Sequence, residues 1–210
     1  MGARANAVDK RRIILDAAIR VFARRGFHHC RVSDVADEAG VAYGLVYHYF
    51  SSKEEILNTL FLERWQIMLD AIAEIDARRD IPSREKLYMV ASFIIDSYRY
   101  DPDLMKVIIV EVTRAANSFG RLHLEKIREA YEGIAGIVEG ARDEGSFKLE
   151  VPSEFAAMVF YGAIEQLLTG WIFEIMPRTD EEFERSKALV VEAICGGLES
   201  ARPGAPAVSG

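Results

Sequence analysis

Apolar residues recur at spacings of three and four along almost the whole chain, and this periodicity constrains the fold more than any other feature of the sequence. Such spacing places the apolar side chains on one face of a helix. The first stripe of this kind consists of Ile13, Ile14, Ala17, Ala18, Val21 and Phe22. We see no strong alternation with the period of two that strands require, so the sequence predicts an all-α fold of about nine helices.

Glycine, proline and serine residues interrupt the periodicity and set the expected helix boundaries. Two short helices flank Gly40, and Ser52 followed by Glu55 has the spacing of a capping box at the start of a longer helix. The later helices are expected at 53–78, 84–99, 102–117, 120–143, 153–175 and 179–200. We expect the segment ARPGAPAVSG, residues 201–210, to be a disordered tail.

The formal net charge of −7 is unevenly distributed. Residues 1–53 hold nine Lys and Arg against five Asp and Glu, a net +4, whereas the remainder holds 17 against 28, a net −11. A basic first quarter on an acidic body indicates a head that binds a polyanion, with chance clustering of charge as the alternative.

Membrane-bound, secreted and metal-binding classes are not expected from this sequence. No uninterrupted apolar run reaches the length of about 18 residues that a bilayer requires, and the first residues do not have the pattern of a signal peptide. Cys30 and Cys195 are far apart in sequence, and His28, His29 and Cys30 lack a second pair of ligands. We expect a cytoplasmic protein with no metal, no cofactor and no membrane partner.

The segments RVSDVADEAG and AYGLVYHYF are two short helices joined by a tight turn at Gly40 and Val41, the arrangement of a helix-turn-helix. The early residues of such a second helix reach base edges in the major groove, which assigns Tyr43, Gly44 and Leu45 to bases. Tyrosine hydroxyls and an imidazole reach phosphate oxygens, as does a lysine at the start of the following helix.

The stretch ILDAAIRVFARRGFHHCRVSDVADEAGVAYGLVYHYFSSKEEIL resembles the N-terminal domain of the tetracycline-repressor (TetR) family of bacterial transcription regulators. The A-G-V turn, the aromatic cluster ending in Y-x-Y-F and the run K-E-E-I-L carry the resemblance. It implies that Tyr43 and Gly44 lie nearest the bases, that Tyr47 lies at the DNA surface, and that phosphates are contacted by His48, Tyr49 and Lys53.

The complete expected DNA-binding set is Arg31, Ser33, Ala42, Tyr43, Gly44, Leu45, Tyr47, His48, Tyr49 and Lys53. Two members depart from the family pattern, since Arg31 and Ala42 stand where a hydroxyl residue is frequent. A lost hydroxyl cap costs about 1 kcal/mol, and operator preference therefore cannot be transferred from the family. Phe50 is expected in the core, whereas Tyr47 could serve the core, the DNA surface or both.

The resemblance implies a DNA-binding domain at 8–52 and a ligand-binding and dimerisation domain at 53–200, which the tail at 201–210 follows. Apolar and aromatic residues with few polar groups favour a hydrophobic effector, and the head resembles family members that respond to long-chain acyl-CoA. The effector-binding candidates, each of which could instead be core, are Trp65, Met68, Tyr88, Phe93, Met105, Ile109, Val112, Asn117, Tyr131, Gln166 and Trp171.

Apolar stripes with small residues on the last two helices predict a four-helix bundle formed by two chains, with intramolecular core as the alternative. The expected dimer interface consists of Phe155, Val159, Gly162, Gln166, Gly170, Val190, Ile194 and Gly197. The sequence therefore predicts a homodimeric repressor that leaves double-stranded operator DNA when a small hydrophobic effector binds. The alternative is a DNA-binding regulator with a vestigial pocket, controlled by a protein partner or by abundance.

An enzyme is the competing class, in which Glu111, Glu165 and His123 would supply acid and base groups. The sequence offers no nucleophile–base spacing, no glycine-rich phosphate loop and no metal motif to support it. We therefore predict that the protein is not an enzyme.

Overall fold

A computed structural model describes residues 2–112, 121–147 and 151–199, which form nine α-helices and no strand within these ranges. The helices are α1 Gly2–Arg25, α2 Val32–Ala39, α3 Tyr43–Tyr49, α4 Lys53–Ala77, α5 Ser83–Tyr100, α6 Pro102–Lys106, α7 Arg121–Asp143, α8 Ser153–Ile172 and α9 Asp180–Glu199. A short 3₁₀ turn, Phe27–His29, lies between α1 and α2. The predicted all-α fold is confirmed.

The helix expected at 102–117 differs from the structure. The α-helix α6 ends at Lys106, and Val107–Val112 continues it as π-helical turns. Five of these six residues, in the sequence VIIVEV, are β-branched, and such residues lose side-chain freedom in an α-helix. Residues 113–120 of the expected helix lie outside the described ranges, as does the expected tail at 201–210.

The chain divides into two compact units. The first consists of Met1–Ile67 with Ser97–Lys126, and the second of Met68–Asp96 with Ile127–Gly210. The first unit includes the N-terminal part of α4, where Ile56 and Leu57 are fully buried. The predicted boundary between residues 52 and 53 does not coincide with this division into packing units, and as a boundary between functions it stays a prediction.

An aromatic core holds the three N-terminal helices of the first unit. Phe22 and Phe27 are buried, with ring centroids 5.3 Å apart in an edge-to-face arrangement. Phe50 is buried, as the sequence predicted, and the guanidinium of Arg11 lies 5.4 Å from the centre of its ring. Val46 is the buried member of α3, so the opposite face of that short helix is free of core packing.

The core of the second unit includes buried residues of α8 and α9. Trp171 is fully buried and meets Phe183 edge-to-face at 4.8 Å between ring centroids. Gly133 on α7 allows a close approach to α4, because a Cβ at this position would lie 2.8 Å from Cγ2 of Ile72. Within the described ranges α8 is the one helix long and apolar enough to cross a bilayer, a test that buried core helices also pass.

Candidate nucleic-acid interface and effector-binding body

The start of α2 is held without a hydroxyl cap. Arg31 occupies the N-cap position, and its guanidinium has no acceptor with which to cap the helix. The carboxylate of Asp34 replaces half of a capping box by accepting the Arg31 backbone N–H at 2.7 Å. This hydrogen bond, together with the nearby guanidinium of Arg25, lowers the pKa of Asp34.

The turn between α2 and α3 depends on glycine. Gly40 adopts a left-handed conformation with φ 62° and ψ 36°, in which other residues are strained. The Val41 N–H donates to the Ala36 carbonyl at 3.0 Å, which closes the C-terminus of α2. The expected tight turn of the helix-turn-helix is therefore present, with its geometry set by one residue.

The exposed face of α3 presents two tyrosines, one turn apart, to solvent. Tyr43 and Tyr47 are 53% and 44% exposed, and their hydroxyl oxygens are 3.1 Å apart. Their rings meet edge-to-face at 5.0 Å, and the hydrogen bond to Tyr43 raises the pKa of Tyr47. Tyr47, for which core and DNA roles were both expected, thus lies on the surface beside Tyr43, and one hydroxyl hydrogen of the pair remains free to donate outward.

The remaining predicted DNA-binding residues of the head are accessible to differing degrees. Ala42, Gly44 and His48 are exposed, whereas Ser33, Leu45 and Tyr49 are half-buried. Ala42 forms no side-chain cap at the start of α3, as expected from its missing hydroxyl. The predicted Ser52 cap of α4 is present, but Glu55 accepts from the N–H and hydroxyl of Ser51 instead of completing the box with Ser52.

Ion pairs neutralise much of the positive charge on α1. Glu38 on α2 accepts hydrogen bonds from Arg20 and Arg24, both at 2.7 Å, and these bonds lower the pKa of Glu38. Asp34 pairs with Arg25 at 2.6 Å. Arg31 is exposed and has no carboxylate within salt-bridge distance in the described part of the chain. The net charge of +4 already includes Asp34 and Glu38, so the pairs locate this charge on the remaining basic residues without changing its sum.

Lys53, a predicted phosphate contact, is engaged within the protein. Its Nζ donates to the backbone carbonyls of Phe27 at 2.8 Å and Cys30 at 3.1 Å. The ammonium also lies 4.5 Å from the centre of the Phe27 ring. Cys30 is buried, which raises the pKa of its thiol, and its Sγ donates to the same Phe27 carbonyl.

The predicted effector-binding residues differ in their burial, and they belong to both units. Trp65, Met68, Met105 and Trp171 are buried in the cores of their units, and Ile109 and Tyr131 are half-buried. Gln166 is exposed on α8. Asn117 lies outside the described residues, and the side chain of Val112 is not described. Burial alone does not separate core packing from an enclosed ligand site, so the assignment of these four residues stays a prediction.

Tyr88 and Phe93 are the two predicted residues that line a described groove. This α4–α5 groove has a volume of about 550 Å³ and lies within the second unit. Its lining residues are Ala71, Glu74, Ile75, Arg78, Tyr88, Met89, Ser92 and Phe93. Six of the eight were not predicted, although their spacing of three and four on two consecutive helices is a signal that sequence reasoning could have used.

The predicted dimer residues fall into three groups. Phe155, Val159, Gln166 and Gly197 are exposed, and Gly162 and Ile194 are half-buried. Val190 is buried but still lines an α8–α9 groove of about 380 Å³, together with Ile194 and the unpredicted Leu189. Gly170 requires correction, because it is buried and a Cβ there would lie 2.9 Å from Sδ of Met176 in the same chain. Its small size serves packing within the protomer.

Two of the three groups considered for catalysis have described side chains. Burial lowers the pKa of His123 and raises the pKa of Glu165, and these two residues belong to different units. The side chain of Glu111 is not described. No group of three metal-ligating side chains occurs among the described residues.

The sequence matches two family descriptions that together cover most of the chain. Residues 14–60 match "Bacterial regulatory proteins, tetR family". Residues 61–184 match "YsiA-like protein, C-terminal region". The first match contains α2, α3 and their turn, and the second contains the α4–α5 groove.

Relatives and solved structures agree with these matches. The fatty acid metabolism regulator protein of Bacillus subtilis (strain 168) is 33% identical over 163 residues, 76% of this chain and 81% of the relative. The fatty acid degradation regulator FadR of Bacillus halodurans matches with a TM-score of 0.79 and 25% identity, over 90% of this chain and 96% of its own. FadR from Bacillus subtilis in complex with stearoyl-CoA matches with a TM-score of 0.76 and 28% identity, over 88% of this chain and 97% of its own.

Proposed function

Because the chain belongs to the TetR family of bacterial regulatory proteins, we propose that it is a homodimeric cytoplasmic repressor that releases its operator when a long-chain acyl-CoA binds. The observation that carries DNA binding is the exposed Tyr43–Tyr47 pair on the outer face of α3. A helix of this kind fits the major groove, where its first residues reach base edges. Arg31, exposed at the start of α2, supplies charge towards a phosphate.

The acyl-CoA effector is supported by the YsiA-like match and by the relative that was solved with stearoyl-CoA. The α4–α5 groove offers Ile75, Met89 and Phe93 as apolar contacts for an acyl chain. Arg78 lies at the same groove, and its ion pair with Asp80 is exposed and thus inexpensive to exchange for a ligand phosphate. We propose this groove as part of the effector site.

Release of DNA requires that the effector distinguish two states of the dimer. A ligand shifts a conformational equilibrium only by the difference between its affinities for the two states. We propose that the acyl-CoA favours a dimer whose two heads no longer match successive major grooves, which are about 34 Å apart.

Operator binding is tested by Tyr43→Ala, for which we expect an affinity about 10- to 100-fold lower. A neutral tyrosine contributes base and phosphate hydrogen bonds without releasing counterions, so the salt dependence should stay as in the wild type. The measurement is fluorescence anisotropy with DNA flanking the protein's own gene, over a series of salt concentrations. Tyr100→Ala, at an 81% exposed tyrosine outside the helix-turn-helix, is the matched control. Equal affinities of the two variants would refute the assignment of α3.

The effector site is tested by Ala71→Trp, which fills the α4–α5 groove. We expect this variant to bind operator normally and to need at least about tenfold more stearoyl-CoA for release, because lost apolar contacts and steric exclusion both weaken binding. Ala73→Trp is the control, since Ala73 is exposed on the same helix and does not line the groove. The measurement is release of labelled operator during titration with stearoyl-CoA.

Other outcomes of this titration separate the alternatives. A normal response of Ala71→Trp would place the effector elsewhere. If stearoyl-CoA does not release the wild-type protein from DNA, the acyl-CoA proposal fails, and a regulator with a vestigial pocket remains.

A further inference from the structure

The N-terminus of α4 is fastened to the loop that leads into α2. Lys53 is the first residue of α4, and its ammonium bridges the carbonyls of Phe27 and Cys30 at 2.8 Å and 3.1 Å. The Phe27 ring covers the ammonium at 4.5 Å, so a cation–π contact supports the two hydrogen bonds. We call Phe27–Cys30 together with Lys53 the Lys53 clamp.

The clamp lies next to a helix start that has no cap of its own. Cys30 immediately precedes Arg31, the N-cap residue of α2, whose side chain cannot accept a hydrogen bond from the first turn. The start of α2 therefore depends on the Asp34 carboxylate from inside the helix and on the position of the preceding loop. Because α2 leads through the turn at Gly40 into α3, a displacement of this loop would also displace the exposed face of α3.

The donors of Lys53 are largely used inside the protein. An ammonium has three N–H donors, and two of them are directed to carbonyls. Moving the ammonium to a DNA phosphate would leave both part-buried carbonyls without this partner and would remove the cation from the Phe27 ring.

We propose that Lys53 is a positioning residue, which holds the 27–30 loop against α4 and so fixes α2 for DNA binding, rather than a cation that neutralises a DNA phosphate. This inference rests on the proposed function, because it concerns binding of the same operator. It assigns to Lys53 a role different from the phosphate contact that the family resemblance implies.

The test uses the full-length protein with Lys53→Met, which keeps the side-chain length and removes every donor. We expect operator affinity to fall about tenfold at low salt, at a temperature where urea titration shows the variant fully folded. The slope of log affinity against log salt concentration should stay at the wild-type value, and amide hydrogen exchange of residues 27–34 should become faster in the absence of DNA. A slope that decreases by about 0.9, the value of one lost phosphate contact, overturns the proposal, as does unchanged exchange.

Two further variants make the result decisive. Arg31→Met removes an exposed cation and should decrease the slope by about 0.9 without changing exchange in the 27–30 loop. Lys53→Gln removes the charge but keeps N–H donors, so it should recover part of the affinity lost in Lys53→Met. If Lys53→Met does not fold, the salt dependence of operator affinity and the amide exchange of residues 27–34 are measured on Lys53→Gln instead. Absence of specific operator binding by the wild-type protein would be a failure of the proposed function, and the exchange experiment would still decide whether Lys53 holds the loop.

Discussion

Replacing Leu189 with glutamate is expected to dissociate the proposed homodimer and to weaken operator binding by at least about 100-fold. Leu189 is 57% exposed on α9 and lines the α8–α9 groove with Ile194. Phe155, Met158 and Val159 are further exposed apolar side chains on α8, and clusters of such side chains frequently mark interaction sites. In a two-fold dimer such a patch meets its own copy, so a single substitution brings two carboxylates into an apolar interface.

The measurement is light scattering during size-exclusion chromatography, followed by operator titration. A monomer presents one head and reads one half-site, and it therefore loses the gain in effective concentration that a linked second head provides. Leu124→Glu is the matched control, because Leu124 is 64% exposed on α7 in the other unit. That variant should remain dimeric. A dimeric Leu189→Glu protein with full operator affinity would show that this surface is not the interface.

The helix-turn-helix could be predicted because its signals are local in sequence. Gly40 marks a left-handed turn, and Ser52 caps α4 through the Glu55 N–H. Phe50 occupies the expected core position where the recognition helix ends. Each of these signals involves only a few neighbouring residues, so it can be recognised from the sequence alone.

Roles that depend on residues distant in sequence could not be predicted in the same way. The hydrogen bond from Lys53 to the Phe27 carbonyl joins residues 26 positions apart, and a carbonyl acceptor is present in every residue. No residue type therefore marks it as a partner. The resemblance implies a phosphate contact for Lys53, which stays a prediction, and it carries no information about the two carbonyls that Lys53 contacts in this chain.

Helical periodicity identified apolar positions in the body without indicating what covers them. Trp171 and Tyr88 both fit an apolar stripe, yet Trp171 is fully buried and Tyr88 lines the α4–α5 groove. Gly162 and Gly170 are small residues on the same helix, but Gly170 is covered by Met176 of its own chain. The distinction between core, ligand site and interface requires the packing of non-neighbouring helices, which periodicity does not contain.

Removing the carboxylate of Asp96 is expected to lower the free energy of unfolding by about 2–3 kcal/mol, the largest stability effect we expect from a single polar substitution. The side chain of Lys187 on α9 is buried, with an exposure of 5%, and its ammonium forms an ion pair with Asp96 on α5 at 2.7 Å. Glu184 is its second partner at 2.7 Å, but that carboxylate is 53% exposed. Burial lowers the pKa of Lys187, yet the hydrogen bonds to Asp96 and Glu184 outweigh burial and hold the pKa above its ordinary 10.5.

Whether Lys187 stabilises the folded state follows from the direction of its pKa shift. A base whose pKa is higher in the folded state stabilises that state at every pH below the unfolded value, so the contribution of Lys187 is complete at pH 7. In Asp96→Ala the ammonium of Lys187 keeps only the more exposed Glu184 as a partner. The cost of removing this ammonium from water is then poorly compensated. The cost stays below that of a fully buried pair because Asp96 is 28% exposed and Glu184 remains.

Urea denaturation at fixed protein concentration and pH 7 measures the effect, since the stability of a dimer depends on concentration. Asp80→Ala is the matched control, because its carboxylate is 66% exposed in a surface pair with Arg78 and its loss should change the free energy of unfolding far less than Asp96→Ala does. The double variant Asp96→Ala with Lys187→Met should recover more than half of the loss, since it removes the uncompensated charge together with its partner. If the double variant is as unstable as Asp96→Ala alone, the loss arises from packing around Asp96 and not from the buried ammonium.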